Sequence, residues 1–200
     1  MGALMRCYSH MLQRHQLATN MVTSGCVFFC GDVLAQQAIE KKGGRHEVER
    51  TCRSTFLGSC YIAPVITLVY NLADKVFGKS QTPLNSIKKI GLISCFSPFT
   101  ATLFVTFNNI LQAKSSDYII HYIKQEAPFI ILTNYKIWIP THFVLLTFIP
   151  LSHRVLVSNM VGVLWTTYLT HVANRGVARE ERDVKRDLSL VSLEDNLHSS

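Results

Sequence analysis

The chain has 200 residues, 48% of them hydrophobic and only 16% charged, with a net charge of +7 and a mean hydropathy of +0.19. Soluble domains carry about 25% charged residues, and disordered chains need low hydrophobicity with high charge. Disorder is therefore excluded and a soluble nucleic-acid binder is disfavoured, since such a binder concentrates Lys and Arg on one face. The charge is unevenly placed. Val177 to Ser200 holds four basic and six acidic residues, a net −2, and the first 176 residues hold 16 basic and 7 acidic, a net +9. This division predicts a membrane domain over 1–176 and a charged, solvated, disordered C-terminal tail over 177–200.

In chain order, the first 31 residues contain Arg6 and Arg14 and no acid. Leu4, Tyr8, Met11, Leu12 and His15 recur at helical spacing, which predicts an amphipathic N-terminal helix. Three readings stay open for it: an interfacial helix, a mitochondrial-type address, or simply the start of the first span. Uncharged windows then follow at His15–Gly31, Ser54–Ala73, Ile90–Ala113, Ile137–His153 and Val155–Asn174. A spanning helix needs about 20 largely apolar residues. The prediction is four to five spans near 16–37, 54–73, 90–113, 128–150 and 155–174, the fourth interrupted by Lys136. Runs such as Phe143-Val144-Leu145-Leu146 do not alternate as barrel strands would, so the fold class is all-α, a polytopic helical bundle. The charged links are Glu40–Arg53, Asp74–Lys89, Lys114–Glu126 and the turn at Pro150–Arg154. With five spans, seven Lys/Arg fall on one side and twelve on the other. Both sides are basic, and the positive-inside rule sets no orientation.

No P-loop, G-x-G-x-x-G, H-E-x-x-H or G-x-S-x-G sequence is present. The six cysteines, Cys7, Cys26, Cys30, Cys52, Cys60 and Cys95, form no C-x-x-C pair and read as small packing residues. No segment holds a pair of carboxylates placed to act as acid and base. These patterns predict no enzyme, no cofactor and no metal, and the expected partner is the lipid bilayer, with no nucleic acid. A homo-oligomer stays open, and no solute is indicated.

The spans are nonetheless polar in places. Ser94, Thr102, Thr106 and Asn109, then Thr133, Asn134 and Thr141, then Ser158, Asn159, Thr166, Thr167 and Thr170 predict hydrogen bonding between helices, with a wetted path as the alternative. Pro64, Pro98 and Pro140 each free a helix carbonyl, and Gly31 with Ala35 offers a close helix contact. A charge near the bilayer centre costs at least about 2.5–3.5 kcal/mol, so it faces the bundle or water. Asp32 and Lys136 are such charges. Gln36 lies one turn beyond Asp32, whose candidate partners are Lys136, Arg50 and Arg53. The pair reads either as a packing ion pair or as part of a gate.

The chain resembles the Mpv17/PMP22 family from about Tyr8 to Leu169. The matching residues are Tyr8, Leu12, His15 and Thr19, then Gly31-Asp32 and Gln36-Gln37. Arg50, Arg53, Gly58, Pro64, Tyr70 and Leu72 follow. The closing block is Asn134-Tyr135, Trp138, Pro150, Arg154, Trp165 and Tyr168-Leu169. The chain departs from the family at Gln16, at Leu92-Ile93, at the split Trp138-Ile139-Pro140 and at His142. The resemblance implies a helical protein of the inner mitochondrial or peroxisomal membrane, usually of four spans, with no known enzymatic activity. It also implies a role in organelle homeostasis and, from some relatives, a weakly selective pore. The candidate pore or bundle residues are Asp32, Gln36, Arg50, Arg53, Lys136, Trp138 and Arg154, with a non-conducting scaffold as the alternative.

Overall fold

The computed structural model describes residues 3–78, 82–148 and 157–174, with Arg186 beyond them. Every regular element among the described residues is helical. Helix α1, Ala3–Arg14, is separate from α2 because the backbone breaks at His15, φ −136° and ψ 58°. α2 runs from Gln16 to Leu34 and continues through a π-turn over Ala35–Ile39. The chain reverses at Lys41, φ 51°, where the Lys42 N–H returns to the Gln36 carbonyl at 3.0 Å.

Helix α3 is continuous from Val48 to Phe77 with a π-turn over Gly58–Ile62. Pro64 explains that turn. Its ring crowds the carbonyl of Cys60 and supplies no N–H, and widening by one residue absorbs the mismatch. The Ala63 N–H then bonds five residues back to Gly58. The Gly58 carbonyl also accepts the Ser24 hydroxyl at 2.8 Å, so the distortion is tied to α2.

Helix α4, Pro83–Leu111, starts with Pro83 in its first turn and Thr82 as N-cap, the favoured arrangement for both residues. Helix α5, Ser116–Thr147, is capped by the Ser115 side chain. Lys124 and Glu126 therefore lie on α5, not in a link reaching to Glu126, because Ser115 and Asp117 form a strong start signal ten residues earlier. Helix α6 covers 157–174.

Among the described residues, three helices are long and apolar enough to cross a membrane: Gln16–Ile39, Val48–Phe77 and Leu84–Leu111. They contain the first two expected spans and the third up to Leu111, two residues short of its expected end. The fourth and fifth expectations fall on α5 and α6, which are outside that group. Their polar side chains face neighbours: Asn134 meets Ser97, Thr133 meets Tyr168 and Thr166 reaches the Val27 carbonyl. The threonines Thr106, Thr141, Thr167 and Thr170 instead bond to carbonyls of their own helices.

The bundle is turned inside out relative to a soluble protein. Phe99 and Leu68 are each 68% exposed and Val22 69%, whereas Asp32, Gln36, Asn108 and Asn109 are fully buried. Exposed Leu, Phe and Val in such number suit a lipid surround. A smaller apolar core holds the helices together through Phe28, Leu57, Phe104, Ile130, Trp165 and Leu169. Glycines permit the closest crossings. A Cβ on Gly58 would sit 2.6 Å from the Phe28 ring, and one on Gly31 would sit 2.1 Å from Thr166 Oγ1 and 3.0 Å from the Thr167 nitrogen. Gly31 thus makes the close contact expected of it. All six cysteines are exposed, which corrects the packing role expected of them. A thiol is small and apolar enough to sit on the outer surface of such a bundle without cost.

Candidate functional site

Helix α2 ends on a polar face because Asp32, Gln36 and Glu40 recur four residues apart. Asp32 Oδ1 accepts from Arg50 Nε at 2.9 Å. Its Oδ2 accepts from Gln36 Nε2 and from the Thr51 hydroxyl, both at 2.8 Å. Asp32 is fully buried and Arg50 is 3% exposed. The remaining guanidinium nitrogens form a fork on Glu40, Nη1 to Oε2 at 2.8 Å and Nη2 to Oε1 at 2.9 Å. One arginine thus joins two carboxylates with the planar, two-pronged geometry that lysine lacks.

Gln36 fixes the start of α3. Its Oε1 accepts the Glu47 N–H at 2.7 Å, and its Nε2 donates to the Glu47 carbonyl at 3.1 Å. Glu47 is the N-cap residue of α3 and has no side-chain cap of its own, so Gln36 satisfies a helix-terminal N–H that would otherwise be unpaired. His46 Nε2 lies 3.0 Å from Thr51 Oγ1, and Gln37 Nε2 lies 3.2 Å from His46 Nδ1.

The cluster reaches α6. His171 Nδ1 lies 3.0 Å from Glu40 Oε1, and Arg50 Nη2 lies 3.5 Å from the Thr170 carbonyl. The end of α6 is held by three further groups. Tyr122 OH donates to the Val172 carbonyl, Asn108 Nδ2 to Ala173 at 3.3 Å, and Asn174 Nδ2 to Thr170 at 2.7 Å. Side chains from α3, α4, α5 and α6 thus donate to carbonyls of residues 170–173. The Arg50 cation also meets the negative end of α2.

Glu40 is the outward edge of the cluster, its side chain 16% exposed, with Lys42 Nζ 3.1 Å from Oε2. Burial pushes its carboxyl up. The Arg50 fork, His171 and Lys42 outweigh that and hold it at about 2.

Of the residues singled out in the sequence, Asp32, Gln36 and Arg50 come together here. Arg53 is close in sequence but separate in bonding. Its side chain is 12% exposed and pairs with Glu49 at 3.2 Å, and its Nε has no partner among the described residues. Trp138 packs against the apolar core and beside the His142 ring, away from the cluster. Lys136 is on the exposed face of α5 and is not the Asp32 partner, since Arg50 takes that place. Arg154 lies outside the described residues. The sequence reading missed Glu40, Thr51 and His171. Glu40 carried a signal, the four-residue recurrence after Asp32 and Gln36, and His171 carried none. No group of three or more His, Cys, Asp or Glu among the described residues could hold a metal ion.

Apolar helices of spanning length around a buried, paired charge cluster define a polytopic helical membrane protein. The Mpv17 / PMP22 family profile matches residues 109–170. The chain is 32% identical to the mitochondrial inner membrane protein Mpv17 of Xenopus laevis, over 88% of this chain and 99% of that protein. It is 31% identical to the protein of the same name in Caenorhabditis elegans, over 86% and 93% of the two chains. It is 28% identical to Protein SYM1 of Mycosarcoma maydis, over 84% and 83%. The chain belongs to the Mpv17/PMP22 family and is a membrane protein of the mitochondrial inner membrane. The Xenopus laevis and Caenorhabditis elegans relatives are both named as mitochondrial inner membrane proteins. No solved structure matches the chain.

Proposed function

We propose that this chain is a weakly selective, solute-conducting protein of the inner membrane, closed at one end by the Asp32–Arg50–Glu40 cluster. The supporting observation is the cluster itself. Two carboxylates and a guanidinium lie between helices whose outer faces suit lipid. Charges in that setting are costly, pair with one another inside the bundle, and mark ion or solute pathways. The cluster is also jointed. Glu40 belongs to the turn after α2, Arg50 to α3 and His171 to α6. Parting Glu40 from Arg50 and His171 would free α6 from the turn and leave the Asp32–Arg50 pair intact. Such a joint is a two-state element of the kind gating requires.

A second reading, a non-conducting scaffold, is favoured by one observation: both Asp32 oxygens are satisfied inside the chain. It gives the recruiting role to the charged tail, Val177–Ser200. Purified full-length protein in planar lipid bilayers separates the two. Conduction predicts discrete ionic currents. Silence from protein with an intact helical circular dichroism spectrum overturns the channel. The scaffold then requires co-purifying partners that vanish when residues 177–200 are deleted.

A further inference from the structure

We infer that the layer of the bundle between the Phe28–Phe104 ring pair and the Arg50 cluster is a binding site for an internal water molecule, held by the Ser54 hydroxyl and the Asn108 side-chain oxygen. Both side chains are fully buried. Neither Ser54 Oγ nor Asn108 Oδ1 has a partner among the described residues. A serine or threonine inside a helix can bond back to the carbonyl four residues earlier, as Thr55 does to Thr51 at 2.8 Å. Ser54 does not take that exit. Asn108 Nδ2 donates to the Ala173 carbonyl of α6 at 3.3 Å. That carbonyl requires a donor, so the unpaired atom of the amide is its oxygen.

The two atoms belong to one layer. Helices α3 and α4 are antiparallel: Asp74 meets Lys89 at 2.6 Å, and the Tyr61 and Phe107 ring centroids are 4.9 Å apart. Phe28 of α2 joins them, its ring against Gly58 of α3 and 5.2 Å from the Phe104 ring of α4. Ser54 lies one turn before Gly58, and Asn108 lies one turn after Phe104. In antiparallel helices both steps lead the same way, about 6 Å toward Arg50. The same step on α2 leads from Phe28 to Asp32. Helix α6 borders the layer with the short side chains of Thr170 and Ala173, both fully buried.

Hydrogen-bond chemistry selects the occupant. Ser54 offers a donor and an acceptor, and Asn108 offers an acceptor. A direct bond would satisfy both, and none is formed. A water accepts from Ser54 and donates to Asn108, the two contacts that a buried water needs at the least. The other polar groups of the layer are engaged. Asp32 is held by Arg50, Gln36 and Thr51, and Thr170 Oγ1 bonds to the Thr166 carbonyl. Arg53 Nε also lacks a partner, but its side chain pairs with the exposed Glu49. A hard cation takes about six oxygens, and two neutral ones beside a guanidinium do not supply them. An apolar ligand would leave both groups unpaired, which is the costly outcome. The site stands on these bonds alone; only its place as the inner end of a solute path rests on the conduction reading.

The test is solid-state NMR on the full-length, isotope-labelled protein in phosphatidylcholine vesicles. The Asn108 side-chain amide is assigned by its correlation with the Ala173 carbonyl carbon. Water protons are expected to transfer polarisation to that amide and not to the Ala101 methyl of the apolar core. Ser54→Ala should cut the transfer by about half or more and lower the melting temperature by about 2–4 °C. Absence of transfer in the wild type, or transfer unchanged in Ser54→Ala, overturns the proposal. So does a melting temperature raised by Ser54→Ala, the sign expected of a dry, unpaired hydroxyl. A rise in melting temperature when potassium chloride replaces choline chloride, seen only with Ser54 present, would make this a cation site and also overturns it. Where the variant does not fold, the wild-type transfer alone supports or overturns the site. None of these readouts uses conduction, so a silent bilayer does not bear on them.

Discussion

Arg50→Met removes the centre of the charge cluster while nearly keeping side-chain volume. The lost bonds are one to Asp32 at 2.9 Å and two to Glu40 at 2.8 and 2.9 Å. Asp32, with no exposed surface, keeps only Gln36 and Thr51. Breaking a buried pair by removing one partner costs about 3–5 kcal/mol, because the other charge stays buried without compensation. At about 2–4 °C per kcal/mol for a chain of this size, the melting temperature in mild detergent should fall by roughly 6–20 °C. The companion variant Asp32→Asn removes the charge that Arg50→Met strands, so the double variant should recover a large part of the loss. The expected coupling in the cycle is about 1–3 kcal/mol. The assay is thermal unfolding followed by circular dichroism on all four proteins. Additive single losses, or an Arg50→Met protein as stable as wild type, would show that the pair does not hold the bundle end together.

Further expectations rest on separate features. Gly58→Ala and Gly31→Ala should each destabilise by about 1–3 kcal/mol through overpacking, since both place a Cβ within 3 Å of a neighbour. Gly44→Ala, with nothing within 4 Å, should be near neutral in the same melting assay. Glu40, held at about 2 in the fold, contributes stability that is full above the unfolded carboxylate value of 4.5. That contribution is lost as the pH falls from there through about 2. It amounts to at most about 3 kcal/mol, and less after screening at its 16% exposed side chain. The gap in melting temperature between wild type and Glu40→Gln should therefore close between pH 5.5 and 2, and a gap independent of pH would contradict this. Lys41→Gly should raise stability by roughly 1 kcal/mol, because Lys41 sits at φ 51°, where a Cβ is costly. Lys41→Ala at the same position should give no such gain.

The helical class and the positions of the first three spans were legible because uncharged windows of bilayer length leave little choice of structure. Asp32 and Gln36 were legible as one face, being four residues apart, and Arg50 was among the candidate partners. Choosing it over Lys136 needed the tertiary fold. The eight-residue link from Glu40 to Glu47 turns α3 back along α2 and carries Arg50 to Asp32, whereas α5 turns Lys136 outward. His171 was not legible, since its contact with Glu40 spans 131 residues of sequence. The start of α5 was misplaced by about ten residues, because Lys124 and Glu126 read as a polar link although Ser115 and Asp117 begin a helix before them. The cysteines misled in a different way. A small apolar residue is inward in a soluble protein, but in this bundle apolar residues face out and polar ones face in.

The proposed conducting path beside the buried charge cluster is tested most directly by one recording. The reversal potential of the Asp32→Asn protein is measured against wild type in planar bilayers under a KCl gradient. Removing one of the two carboxylates around Arg50 leaves only Glu40 to balance it and makes the closed end less negative. The reversal potential should therefore shift toward that of chloride, with longer openings. Identical reversal potentials and open times in the two proteins would contradict the claim.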